Sequence, residues 1–268
     1  MKELTIKFPK IITAMPLPQA PPAAALNFDN FVNSVSIFSL SPRVSAVNLW
    51  PVPKWIKFII AVLLLPVCLG AARALWLVLR VFGSVDTTWV PLLAGAACWI
   101  VVFLMLPKPM WIYVFGHELT HALWTWVFGG TVKKMKVTSG GGHVVISKTN
   151  FVIALAPYFF PLYAAIVIVV FAIGHLIWDW HRFLVYFDLL VGAAYAFHLT
   201  LTFHVLQTRQ SDITSQGYLF SAVVIFLGNV CVLLFGMPLL TERIGIFNVL
   251  GWWFESTGMV FHWLQRVI

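Results

Sequence analysis

The chain has 268 residues, of which 61% are hydrophobic and only 10% charged, and its mean hydropathy is +0.93. Soluble domains carry about 25% charged residues, so this composition excludes a disordered, collagen-like or disulfide-stapled chain and points to a polypeptide embedded in a lipid bilayer. The net charge of +8 does not argue for nucleic acid, because no Lys/Arg run exceeds Lys133-Lys134 and sparse cations at the ends of apolar stretches suit anionic headgroups.

Residues 1–53 read as an extended or loosely packed arm, with Lys2, Lys7 and Lys10, a Pro-rich stretch from Pro16 to Pro22, and a close at Pro51-Val52-Pro53. Met1 to Ala14 lacks an apolar core long enough for a cleavable signal peptide. Residues 54–108 then hold two accessory apolar stretches, Phe58 to Arg80 and Thr87 to Leu106. Residues 109–240 hold four more, Pro109 to Phe128, Thr149 to Gly174, Phe183 to Leu206 and Gly217 to Met237. Each is long enough for a hydrocarbon core of about 30 Å. Backbone groups in lipid must be satisfied within the segment, so these stretches are expected as helices.

Between the third and fourth stretches, residues 131–148 place β-branched residues on both sides of Gly140-Gly141-Gly142. That pattern predicts a β-hairpin turning near the glycines, against the alternative of a plain connecting loop. The tail, residues 241–268, mixes Trp252, Trp253 and Trp263 with Glu255, His262 and Arg266 and is expected as an interfacial helix. The expected class is therefore an all-α polytopic membrane protein of about six transmembrane helices with a short membrane-associated β-hairpin. Cys68, Cys98 and Cys231 lie in apolar stretches and read as small buried hydrophobes. A cytoplasmic hairpin is favoured, although the charge bias between the two faces nearly cancels.

The strongest local signal is His117-Glu118-Leu119-Thr120-His121 in the third stretch. Residues four apart on a helix share a face, so both imidazoles can reach one metal ion, and Glu118 beside them can take a proton from water that the metal activates. Chance placement yields this pattern about 0.004 times per chain of this composition. Three ionisable groups at membrane depth cost several kcal/mol unless they serve a purpose; the bland alternative is a polar knot between helices. A catalytic zinc site needs a third protein ligand and an open position. Asp188, Asp212, His198 and His204 are the candidates, and for Asp212 a helix N-cap is nearly as good an account. Zinc follows from ligand type, since iron and cobalt accept the same set.

The runs Phe115 to Leu123, Phe128 to Val132 and Gly140-Gly141-Gly142-His143-Val144 resemble the opening of the site-2 protease family of intramembrane zinc metalloproteases. Gln210-Ser211-Asp212-Ile213 with Gly217 is similar to the Asp segment of its less typical members. The more familiar family motif is Leu-Asp-Gly after Asn-Pro, and here Ile213 follows the Asp. The likeness covers residues 109 to 235. It implies zinc held by His117, His121 and Asp212, with Glu118 as the general base. It further implies hydrolysis of a peptide bond in or near a substrate's transmembrane helix. Asn229 and Pro157 match polar and helix-bending positions near such a family's site, Asn229 as an outer shell; His204, eight residues before Asp212, reads either as an outer-shell group or as a helix-packing histidine. The hairpin, through Gly140, Gly141, Gly142 and His143, would pair with an unwound substrate segment by strand addition.

The implied partners are a membrane-protein substrate and the bilayer, with no nucleic acid, in the inner or plasma membrane. The rival from another class is a non-catalytic membrane subunit or scaffold with a structural metal site. An ion transporter is a third reading, against which stands the lack of an internal repeat across the six stretches.

Overall fold

The structure is a computed structural model that describes residues 39–40, 47–48, 52–82, 88–240 and 244–267. The expected arm falls outside the described residues except for residues 52–53 and two short strands, β1 (Ser39–Leu40) and β2 (Val47–Asn48). Helices α1 (Lys54–Phe82), α2 (Trp89–Met105) and α3 (Met110–Val127) follow. Then come β3 (Val132–Thr138), β4 (Gly141–Ile146) and β5 (Lys148–Thr149). The rest is helical: α4 (Phe151–Leu155), α5 (Leu162–Trp178), α6 (Leu184–Leu206), α7 (Ser211–Gln216), α8 (Tyr218–Leu240) and α9 (Ile246–Val267).

Among the described residues three helical segments are long and apolar enough to cross a membrane: Lys54–Val81, Trp180–Leu206 and Tyr218–Leu240. A fourth is reached if α4 and α5 count as one bent span. The chain is thus a mostly helical, multi-pass type of membrane protein with a small hairpin. Two of the six expected spans fall short for local reasons. The 17 residues of α2 extend only about 26 Å, and α3 spends part of its 18 residues on the polar His-Glu-Leu-Thr-His run. The fourth stretch is not straight but bends by 82° between Tyr158 and Leu162. Pro157 and Pro161 cannot donate backbone hydrogen bonds, so the helix breaks into α4, a 3-10 turn at Ala156–Tyr158, and α5.

The hairpin forms as the glycines predict, with Ser139 and Gly140 at the turn. Along β4 the residues alternate, with Gly142, Val144 and Ile146 buried and Gly141, His143 and Val145 half-buried, and the buried set packs on α3 beside Ala122. The outer strand β3 carries exposed Lys133, Lys134 and Lys136, which protect that edge from further pairing. The other edge of β4 is paired: β1 runs parallel to it, Ser39 opposite Gly141 and Leu40 opposite Gly142. The strand β2 pairs β5 in the same sense.

Two packing features hold the bundle. At the α2–α6 crossing, Gly95 lies against the backbone of Leu189 and Gly192 against that of Leu92, so close that neither position has space for a Cβ. The tail helix α9, expected at the membrane surface, lies along α1: Trp253 Nε1–H donates to the Val67 carbonyl at 3.2 Å, and Thr257 fills the space above Gly70. Val249 and Ser256 of α9 are buried, whereas Phe247, Phe254, Phe261 and Trp263 stay exposed.

Candidate metal centre

The centre is assembled from two helices far apart in the chain. Helix α3 supplies His117, Glu118 and His121 from adjacent turns, and its two threonines donate back to their own helix, Thr120 to Gly116 O at 2.7 Å and Thr125 to His121 O at 2.8 Å. The short helix α7 supplies Asp212. It is fixed from its far end by α1, where Lys54 Nζ donates to Thr214 O at 3.0 Å and Lys57 Nζ to Gln216 Oε1. Cations at a helix C-terminus are favourable for its unpaired carbonyls. Ile213, next to Asp212, packs with Leu155, Tyr158 and Phe220, which seats α7 on α4 and α8.

Asp212 is not a cap. The cap position of α7 is Gln210, no side chain closes it, and the Asp212 carboxylate points to the histidines. Its Oδ2 lies 3.5 Å from His117 Nε2 and 3.5 Å from His121 Nε2. Good hydrogen bonds to nitrogen are about 2.7–3.2 Å long, so these separations are too wide for a direct pair. They equal the edge of a coordination tetrahedron instead, because ligands about 2.0–2.2 Å from a central ion sit about 3.3–3.6 Å from one another. One ligand atom from each of His117, His121 and Asp212 lies within 4.8 Å of the other two. No fourth His, Cys, Asp or Glu joins this group among the described residues.

The surroundings orient the donors. His121 Nδ1 is 2.7 Å from the Ile153 carbonyl; a carbonyl only accepts, so Nδ1 carries the hydrogen and Nε2 offers its lone pair to the centre. That carbonyl is available because four residues on stands Pro157, which has no N–H to close the helical bond. Asn150 starts the same short helix, its Oδ1 accepting from Ile153 N at 2.8 Å. Tyr158 donates its hydroxyl to Asp212 Oδ2 at 3.0 Å, and its ring stands edge-on to His117, centroids 5.1 Å apart. Asn229 in turn donates to Tyr158 O at 3.1 Å.

These residues fit a metal ion on the chemistry of the unpaired atoms. His117, Glu118, His121 and Asp212 are at most 3% exposed. Both nitrogens of His117, Nε2 of His121 and both oxygens of Glu118 make no hydrogen bond of normal geometry, and the Val144 backbone adjoins the Glu118 carboxylate. Each unmade bond costs about 1–3 kcal/mol, and five together rival the whole stability of a folded domain. An ion coordinated by the two Nε2 atoms and Asp212 removes part of that cost. The group could therefore hold a metal ion.

Of the other residues expected at the site, Gly142 is there. A Cβ on it would lie 2.9 Å from Glu118 Cγ and 2.7 Å from Val114, so the strand backbone passes directly over the Glu118 side chain. Gly140 is in the turn with open space around it, Gly141 takes a positive φ of 139°, and His143 is opposite Lys136 in the ladder, out of phase with the buried face. His204 is not brought to the group: it stands edge-on to Phe103 at 6.3 Å and lines a separate cavity with Lys108 and Gln207. Asp188 is buried on α6 and lies outside the group as well. Sequence spacing gave no sign of Tyr158 or of the Ile153 carbonyl. The chain matches no protein-family model, no curated protein and no solved structure.

Proposed function

We propose that the protein is an intramembrane zinc metalloprotease, similar to the site-2 protease family, that hydrolyses a peptide bond in or near a transmembrane helix of a membrane-protein substrate. The observation that carries this is the three-ligand group of His117, His121 and Asp212, with the unpaired carboxylate of Glu118 next to it. Structural zinc sites are closed by four protein ligands, whereas catalytic sites use three and leave a position open. Within this proposal the six apolar segments are embedded in the inner or plasma membrane.

When bound, zinc supplies Lewis acidity: it polarises the scissile carbonyl and makes water acidic enough to lose a proton near neutral pH. The Glu118 carboxylate accepts that proton and delivers it to the leaving amine nitrogen, and its place one residue after His117 keeps it at the reacting water without making it a ligand. Tyr158 holds the Asp212 carboxylate, and Ile153 holds the His121 ring, so neither has to reorganise during the reaction.

A helical substrate hides its carbonyls in its own hydrogen bonds and must be unwound before attack. The β4 edge is suited to keep it extended, since it already accepts a backbone ladder at Gly141 and Gly142, and Gly142 lies over Glu118. A substrate strand at this edge would take the place of Ser39–Leu40.

The near-complete burial of the group favours the rival reading, a non-catalytic subunit with a structural metal. Glu118→Gln separates the two. In liposomes containing transmembrane substrates, the proposal expects cleavage to fall by about 10²–10⁴-fold while zinc stoichiometry, measured by atomic emission, stays that of the unsubstituted protein. Unchanged function in Glu118→Gln would establish the rival.

A further inference from the structure

We infer that His198 on α6 is a positioning residue that orients His117 through a single buried water. The inference rests on the metal centre proposed above, and begins from a difference between its two histidines. His121 has its outer nitrogen fixed by the Ile153 carbonyl. The corresponding nitrogen of His117, Nδ1, is buried and has no protein partner, although a ligating imidazole almost always donates from the nitrogen the metal does not use.

The two helices bring a second unpaired imidazole to that position. Tyr113 Oη and Thr202 Oγ1 meet at 3.3 Å between α3 and α6. One turn onward on α3 is His117, and one turn back on α6 is His198. Both line a cavity of about 20 Å³, together with Gly116, Thr120 and Tyr163. His198 is 6% exposed and its Nε2 has no partner. A buried water needs about 10–15 Å³ of such space and two to four polar neighbours; this cavity has room for one.

The hydrogen bonds at the water itself can be assigned with His198 in its Nδ1–H tautomer. Nδ1–H of His117 donates to the water oxygen, and the water donates one hydrogen to His198 Nε2. Its second hydrogen has an acceptor in the Thr120 or Tyr163 hydroxyl oxygen, whose own hydrogens are committed to Gly116 O and Ile112 O. His117 is thereby held in the tautomer that leaves Nε2 free, as Ile153 does directly for His121. His198 touches neither substrate nor metal.

The test is metal affinity, read by chelator competition on purified protein with zinc, and the visible spectrum of the cobalt-loaded form. His198→Leu is expected to weaken binding about 10–100-fold and to alter the cobalt bands, while His198→Gln, whose amide oxygen still accepts from the water, restores most of the loss. Affinity within twofold of the unsubstituted protein in folded His198→Leu overturns the inference, as does failure of His198→Gln to rescue. If His198→Leu does not fold, ¹⁵N solid-state NMR of the zinc-loaded unsubstituted protein decides. A His117 Nδ1 proton in contact with water supports the bridge, and its absence overturns it. An unsubstituted protein that binds no zinc refutes the metal centre itself and is seen before any variant is made.

Discussion

The α2–α6 crossing and the α3–α7 centre are both buried regions of this membrane-embedded bundle, and they meet burial in opposite ways. At the crossing the contact is chiefly one of shape and its polar pair is satisfied: Gly95 and Gly192 have no side chains, so two backbones touch, and Trp99 Nε1–H donates to Thr200 Oγ1 at 2.8 Å. Lipid tails are as apolar as a leucine, so helices associate in a bilayer by such close contact. At the centre, by contrast, four ionisable side chains are buried and several of their atoms are left without partners. The first region gains stability from shape. The second gives stability up, and that loss is characteristic of a site that holds a ligand.

If the comparison is right, the two regions can be damaged separately. The largest effect is expected at the crossing. Gly192→Leu drives a side chain into the Leu92 backbone, and overpacking of this kind costs about 1–3 kcal/mol or more. Thermal unfolding in detergent should shift down by several degrees, while zinc affinity of the folded fraction is retained. A variant that unfolds normally and loses zinc would dissolve the distinction.

A smaller effect in the opposite pattern is expected from Tyr158→Phe. It removes only the hydroxyl that donates to Asp212 Oδ2. A hydrogen bond of this kind is worth about 1 kcal/mol, so zinc should bind about fivefold more weakly by chelator competition, with the unfolding temperature nearly unchanged. Weakening of stability without any change in zinc affinity would make Tyr158 a packing residue only.

The two regions also differ in how far they were legible in the sequence. His117, Glu118 and His121 could be read because one helical turn relates them, and helical spacing is a local property. Asp212 could not be separated from a cap by spacing, because its distance to α3 is set by the seating of α7 on α1, α4 and α8. The Ile153 carbonyl left no trace at all: it is a backbone atom, made available by a proline four residues away. Long apolar helices such as α1 and α8 followed from hydropathy, but the 82° bend between α4 and α5 did not, since a hydropathy window sees Pro157 and Pro161 only as mildly polar. His204, eight residues before Asp212, read equally as a neighbour of the site or as a helix-packing histidine, and α6 turns it toward Phe103.

X-ray absorption at the zinc edge of the purified, zinc-loaded protein tests the central claim most directly. The account predicts two imidazole nitrogens and one carboxylate oxygen at about 2.0–2.2 Å, plus one further light atom that a hydroxamate inhibitor displaces. A first shell filled by four protein ligands and indifferent to the inhibitor, or the lack of stoichiometric zinc, would contradict it.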